Sequence, residues 1–455
     1  MEILNKHKWH ILMPIVFSLI TAVVCLIFSG VFNNQSASSH INLGKQYLSD
    51  LNYSAAVLEF SSAIEIDPNN KEARINLAQA YFQSNEVDSA VQVLEEVINE
   101  ASPNIEISEA LIEIYKENEN YVAALGVIQN LIQYTDVEKY YDMQGEIVER
   151  LVQESHTYAA GTDQELLILQ EQVFSRGSNV LGQLGTSSYL GDKEYQQEEF
   201  AFAGFEKAAQ NVYTVGKTSY VVDKEGNLWA AGENRWGQQG ISYGTTIPQS
   251  GWTQLTTDGT VVKVGGNTGN LLILKKDGSL WHSGGSVGQK LKRIDKFDVV
   301  IDIVNYNSYV FVHTAKGEVY QNSEKDMSAW KLVKKDVSIF CPVGNNSIAW
   351  INTNGEFYSD YLGNIPSSWS YNEKRGTYSP DFVVADMEYN GEYYILLSNE
   401  GIVYLLSQNG FINKSKIDSA ILSLYSEKDK IFAELEDGSL IAWTKEEHSY
   451  SVVKE

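Results

Sequence analysis

The sequence predicts a multidomain chain: a single transmembrane helix, an α-solenoid of helix pairs, then an all-β seven-bladed propeller. Three observations predict it: an uncharged apolar run near the N-terminus, a helical repeat of period 34, and seven copies of a β-hairpin unit. Of the 455 residues, 43% are hydrophobic and 20% charged, enough apolar material for several cores. Collagen-like, disordered and disulfide-scaffold classes are thereby excluded. The net charge of −25 repels phosphate backbones, and no basic patch offsets it, so no nucleic-acid partner is expected. Only Cys25 and Cys341 occur, and no bridge, zinc site or redox pair can be drawn from them.

Charge divides the chain into the same three parts. Residues 1–36 carry 2 basic and 1 acidic side chains, 37–155 carry 6 and 21, and 156–455 carry 26 and 37. From Ile11 to Phe32 run 22 residues without a charge, long enough at about 1.5 Å per residue to cross a bilayer core of roughly 30 Å. Lys6 and Lys8 precede the run and no basic residue follows until Lys45. The positive-inside rule therefore places residues 1–10 in the cytoplasm and the body outside the cell membrane. A cleaved signal peptide fits less well, because the run exceeds the usual apolar region of about 7–15 residues and Gln35-Ser36-Ala37 is a poor cleavage site. A lipoprotein site at Cys25 is opposed by Val24. Residues 33–39 form a polar linker.

Residues 40–155 carry the helical repeat. Tyr47, Tyr81 and Tyr115 are spaced by 34, as are Ala56, Ala90 and Ala124, and Phe60, Leu94 and Ile128. Each copy holds two amphipathic patterns with a break between them. Gly44, Tyr47, Ala56, Phe60, Ala63 and Pro68 stand at the signature spacing of the tetratricopeptide repeat, which this region resembles. The units read 37–70, 71–104 and 105–138; the third departs, with Ile112 in the Gly/Ala slot and Asp136 in the proline slot. A helix over 136–155 is expected to cap the array, since a terminal repeat cannot leave its apolar face bare.

The resemblance implies a groove that binds a protein or peptide. By register its lining is Ile41, Lys45 and Leu48, then Ile75, Gln79 and Phe82, then Glu109, Glu113 and Lys116. Some relatives clamp an acidic C-terminus with Lys, Arg and Asn here; Glu109 and Glu113 occupy the corresponding places, so that clamp is not expected. A plain spacer holding the next domain off the membrane is the competing reading.

From residue 156 the periodicity changes to 2, with short β-rich runs divided by Gly turns. The hairpin unit ends at Phe174, Trp229, Trp281, Tyr320, Tyr358, Tyr404 and Ile441, at steps of 55, 52, 39, 38, 46 and 37. Seven units of about 40 residues with four strands each fit one propeller ring. The fourth strand shows in WKLVK at Trp330–Lys334 and YSVVK at Tyr450–Lys454. In the first two units, VFSRGSNVLGQLG (Val173–Gly185) and LWAAGENRWGQQG (Leu228–Gly240) resemble the regulator of chromosome condensation (RCC1) repeat: an aromatic, then Gly-x-Asn-x-x-Gly-Gln-Leu-Gly. The third keeps WHSGGSVGQ and the rest only the hairpin. Roles in that family include nucleotide exchange on a small GTPase, β-lactamase inhibition and surface scaffolding, so the resemblance implies the fold and not one function.

No catalytic constellation is found. Gly284-Gly285-Ser286-Val287-Gly288 matches a nucleophile elbow, but it aligns with the repeat's own glycine turn rather than with a strand entering a helix. The seven His do not pair at metal-ligand spacing, so no metal, cofactor or small-molecule substrate is expected. Carboxylate runs such as Glu95-Glu96 and Glu434-Leu435-Glu436-Asp437 read as solvated faces. Aromatic residues also fall in the long connections after units one, two and five: Tyr189, Tyr195, Trp236, Tyr243, Trp252, Tyr361, Trp369, Tyr371 and Tyr378. Exposed Trp and Tyr are frequent binding anchors, so Tyr189, Trp236, Tyr243, Trp252, Trp369, Tyr371 and Tyr378 are the candidate partner-binding residues of the propeller, with packing against the ring as the competing reading. The expected function is a membrane-anchored, extracytoplasmic protein-interaction scaffold without catalytic activity. The alternatives are a cell-wall or carbohydrate-binding module and an exchange factor-like propeller.

Overall fold

The computed structural model describes residues 36–98, 103–118, 120–151, 156–194, 196–240, 250–267, 269–285, 288–323, 326–359, 370–372, 377–407, 412–417, 419–427, 430–443 and 451–454. They belong to two compact units, one ending at Asp136 and the other starting at Val137. The Ile11–Phe32 run lies outside the described residues; among those described, no helix is long and apolar enough to cross a membrane.

The first unit is three helix pairs: α1 (Ala37–Ser49) with α2 (Tyr53–Ile66), α3 (Lys71–Gln83) with α4 (Val87–Glu95), and α5 (Ile105–Glu117) with α6 (Tyr121–Thr135). Helix starts are written into the sequence. Asn52, Asn70, Asn104 and Asn120 each accept, through Oδ1, the N–H three residues on, satisfying a donor the helix leaves orphaned. Small residues then let the helices approach: Ala56, Ala63, Ala73, Ala80, Ala90 and Ala124 are fully buried. Gly44 is the tightest point, since a Cβ there would sit 2.6 Å from the Phe60 ring.

The second unit opens with helix α7 (Glu138–Leu151). This is the segment expected to cap the helical array. It belongs instead with the β unit, where Gln144 Nε2 donates to the Asp277 carbonyl at 2.8 Å.

Seven sheets follow, each built from strands contiguous in sequence. Blade 1 is β1 (Tyr158–Ala160), β2 (Gln164–Leu169), β3 (Gln172–Gly177) and β4 (Gln197–Phe202). Blade 2 is β5 (Ala209–Val215), β6 (Thr218–Asp223), β7 (Leu228–Gly232) and β8 (Thr253–Gln254). Blade 3 is β9 (Val261–Asn267), β10 (Asn270–Lys275), β11 (Leu280–Gly284) and β12 (Gly288–Arg293). Blade 4 is β13 (Val300–Tyr306), β14 (Tyr309–Thr314), β15 (Val319–Asn322) and β16 (Lys331–Lys334). Blade 5 is β17 (Ile339–Gly344), β18 (Ser347–Ile351), β19 (Phe357–Ser359), β20 (Ser370–Asn372) and β21 (Thr377–Ser379), in the order β17-β18-β19-β21-β20. Blade 6 is β22 (Val384–Tyr389), β23 (Tyr393–Ser398), β24 (Ile402–Ser407) and β25 (Ile412–Lys416). Blade 7 is β26 (Ile421–Glu427), β27 (Lys430–Leu435), β28 (Leu440–Trp443) and β29 (Ser451–Lys454).

All pairings are antiparallel, and the first strands lie beside one another in blade order, so they line the axis. This is a seven-bladed β-propeller. Its cores lie between blades: Leu166, Ile168 and Val173 of blade 1 meet Val212 and Val221 of blade 2, and Tyr394 and Leu396 of blade 6 meet Ala349 and Ile351 of blade 5. Both faces of each sheet are therefore covered, and the central strands read as near-continuous apolar runs. Five first strands carry a bulge at one place, where the register skips Gln210, Val262, Ile301, Ala385 and Leu422.

Candidate interaction surfaces

Antiparallel alternation gives the propeller two distinct faces. The turns between strands one and two and the links between strands three and four share one end, here called the loop face. The turns between strands two and three share the other, the hairpin face. In units one and two the third and fourth strands are separated by a long connection that leaves from the loop face (β3 to β4 and β7 to β8), and in blade 5 the extra strand β20 lies outside β21, parallel to β19.

The Gly-x-Asn-x-x-Gly-Gln loops are used for construction. Asn179 Oδ1 accepts from Leu184 N–H at 2.9 Å while its Nδ2 donates to the carbonyls of Thr186 and Ser188. Asn234 repeats the first bond, accepting from Gln239 N–H at 3.0 Å. Gln183 Nε2 donates to Asp163 Oδ1, whose Oδ2 takes Lys217 Nζ of blade 2 at 2.9 Å. Each loop is then tied to the following blade: Ser219 Oγ donates to the Gln183 carbonyl at 2.7 Å, and Ser283 Oγ to the Gly237 carbonyl at 2.6 Å. The signature residues thus clamp successive blades together. The segment matching a nucleophile elbow joins antiparallel strands β11 and β12, so no helix follows it.

The loop aromatics divide into different classes. Tyr189, at φ +54°, is 41% exposed, and Trp236 is 37% exposed beside Gly269 of the next blade. Trp252 is not a surface anchor. Its indole Nε1 donates to the Ala203 carbonyl at 2.9 Å, its ring meets Phe205 edge-on at 5.5 Å, and it covers the core between blades 1 and 2. Gly185 is required beneath it, because a Cβ there would lie 2.3 Å from the indole nitrogen. Tyr371 and Tyr378 are cross-strand partners in the backbone register of β20 and β21. Tyr195, Tyr243, Tyr361 and Trp369 lie outside the described residues.

In the helical unit, Ile41 is 4% exposed and packs with Phe60 and Leu77, so it belongs to the core and not to a groove lining. Leu48, Ile75 and Phe82 are half-buried and Gln79 is exposed. Lys45 pairs with Glu72, and Lys71 with Glu106 at 2.7 Å, so two of the cations bridge successive first helices of the repeats. Glu113 pairs with Lys116 at 3.2 Å, and Glu109 is half-buried nearby in sequence. The row mixes apolar residues with Lys45 and Gln79 in repeats one and two and is wholly charged in repeat three.

One polar cluster was not found from sequence. Glu434, in a run read as solvated, is 2% exposed at the meeting of blades 7 and 1. Its Oε1 accepts from Thr157 N–H at 2.9 Å, from the Thr157 hydroxyl, and from Tyr425 O–H at 3.0 Å. Alternation along β27 puts it on the face of Phe432, opposite Ile431, Ala433 and Leu435, whereas Glu436 and Asp437 sit in the exposed turn. The strand periodicity around Ile431–Leu435 held that signal. Beside it, His156 stacks between Tyr213 at 4.8 Å and Tyr425 at 4.0 Å, and its Nδ1 donates to the Val212 carbonyl at 2.7 Å. Burial, with Lys263 nearby, pushes the His156 pKa down to about 4, so the ring is neutral at pH 7. Burial likewise holds the Cys341 thiol well above its usual range, which makes it inert. Among the described residues, no three His, Cys, Asp or Glu side chains are arranged to hold a metal ion.

Residues 47–112 match the tetratricopeptide repeat family. The match spans the first two helix pairs from Tyr47 and reaches into α5. For the propeller, human WBSCR16 is similar at 14% identity and a TM-score of 0.47, covering 62% of this chain and 86% of that one. Yeast RCC1 (Prp20), in a structure with Kap60 bound, is similar at 12% identity and a TM-score of 0.44, covering 64% and 80%. Prp20p from Saccharomyces cerevisiae in a second structure gives 13% identity and a TM-score of 0.44 over 66% and 84%. No curated protein matches the chain.

Proposed function

We propose that the protein is a membrane-anchored, extracytoplasmic protein-interaction scaffold that carries out no chemistry of its own. The observation that carries this reading is the division of labour on the propeller's loop face. The polar side chains of the repeat signature are consumed in bonds within their own blades and the loop carbonyls accept from the next blade, while Tyr189 and Trp236 are exposed on the same loops. Such side chains offer large contact area at low entropic cost, which suits a protein partner. The tetratricopeptide repeats supply a second surface, whose half-buried Leu48, Ile75 and Phe82 lead toward Glu109 and Glu113. The anchor rests on the uncharged run Ile11–Phe32 with Lys6 and Lys8 before it.

Protease added to intact cells tests the topology. Digestion of the body without membrane rupture is expected; protection of residues 37–455 until lysis would reverse the orientation and revive the exchange-factor reading.

A further inference from the structure

Six of the seven junctions between blades are crossed by the chain itself. The seventh, between blade 7 and blade 1, is not, and among the described residues each sheet takes its strands from one stretch of the chain. Ring closure therefore rests on side chains meeting across one seam. Its apolar part is small: Tyr158 lies 4.7 Å from Phe432, which packs with Tyr425, Leu440 and Ala442. Its polar part runs through two carboxylates of blade 7. Glu434 takes the N–H and hydroxyl of Thr157, and Glu427 Oε2 takes the Ala160 N–H at 3.3 Å.

We propose that this seam is a latch, and that mild acid opens the propeller ring there while the other six junctions hold. Three donors converge on a single oxygen of Glu434, so this one side chain carries most of the described polar closure. His156 stands at the same seam, with Nε2 3.6 Å from Glu427 Oε1. Because its Nδ1–H is committed to the Val212 carbonyl, the neutral ring turns a lone pair toward that carboxylate. Proton uptake here would place a cation in a site buried between two tyrosines and approached by Lys263. The remaining charged groups are outside this contact: Glu165 accepts from Tyr158 O–H at 3.0 Å and is itself held by Arg176 at 2.7 Å. Among the described residues, the polar contacts across the seam thus run through Glu427 and Glu434.

Hydrogen exchange of the full chain, corrected for intrinsic rates, distinguishes a latch from ordinary acid unfolding. Between about pH 7.5 and about pH 5, residues 156–160 and 430–435 are expected to lose protection by about tenfold or more while blade 4, residues 300–334, keeps its own. Glu434→Gln should bring that seam-specific loss to pH 7.5, whereas Glu436→Gln, in the exposed turn two residues on, should not. Simultaneous loss of protection in blades 1, 4 and 7 would overturn the latch. Unchanged seam protection in wild type across the pH series would do so too, and that measurement stands even if the Glu434 variant fails to fold.

Discussion

At the scale of single residues, the fate of an aromatic in a propeller loop depends on whether its polar tip finds a buried carbonyl. Trp252 does, and Trp252→Ala should cost about 3 kcal/mol in urea unfolding, the range for removing a packed aromatic ring. Tyr189→Ala and Trp236→Ala should each stay within about 1 kcal/mol of wild type, since exposed side chains contribute little to folding. The same scale carries a pH dependence. His156 has its pKa lowered from 6.5 to about 4 in the fold, so its contribution to stability is fully present above pH 6.5 and is lost as pH falls toward 4. That gap is worth about 3 kcal/mol. His156→Phe keeps the stacking and should flatten this part of the stability–pH curve; an unchanged slope would show that His156 is not what titrates. Neither Trp252 nor Glu434 was assigned correctly from sequence. Trp252 stands in a glycine-rich stretch that reads as an exposed loop, and its burial depends on Phe205 and Ala203, which another segment brings to it. Glu434 sits in an acidic run whose other members are solvated.

At the scale of elements, local chemistry did most of the specification. The Asn caps, the alanine faces and the period of 34 made the helix pairs readable, because a tetratricopeptide unit packs mainly against its neighbours in sequence. Gly44→Ala tests the closest of these contacts. Its methyl would meet the Phe60 ring, and a loss of about 1–3 kcal/mol is expected for such overpacking. The β hairpins were readable for a similar reason: turns such as Asp277-Gly278 and Asp437-Gly438 place glycine at φ +77° and +87°. Helix α7 was misplaced because amphipathic periodicity shows that a face is buried without showing against what. Gln144 makes its bond to Asp277, 133 residues away. A fragment starting at Val137 should therefore be more stable than one starting at His156, by about 2 kcal/mol or more in chemical denaturation, since Ile147 and Val148 are buried in the fold. Equal stabilities would show that α7 adds nothing to the propeller.

At the scale of the whole molecule, the number of blades could be counted in the sequence, but the manner of closing the ring could not. Hairpin repeats report each blade separately; closure joins residues such as Thr157 and Glu434, 277 positions apart, with no periodic signal. The long insertions were countable too, yet only strand order showed that those of units one and two leave from one face, whereas that of unit five adds a strand to its blade. That shared face is where the proposed function stands or falls. Site-specific photo-cross-linking from position 236 in intact cells tests it most directly, with position 224 on the hairpin face as the comparison. The expected result is a discrete protein adduct from position 236 that Tyr189→Ala removes, and none from position 224. Equal adducts from both positions, or an adduct from 236 indifferent to Tyr189→Ala, would contradict a partner-binding loop face.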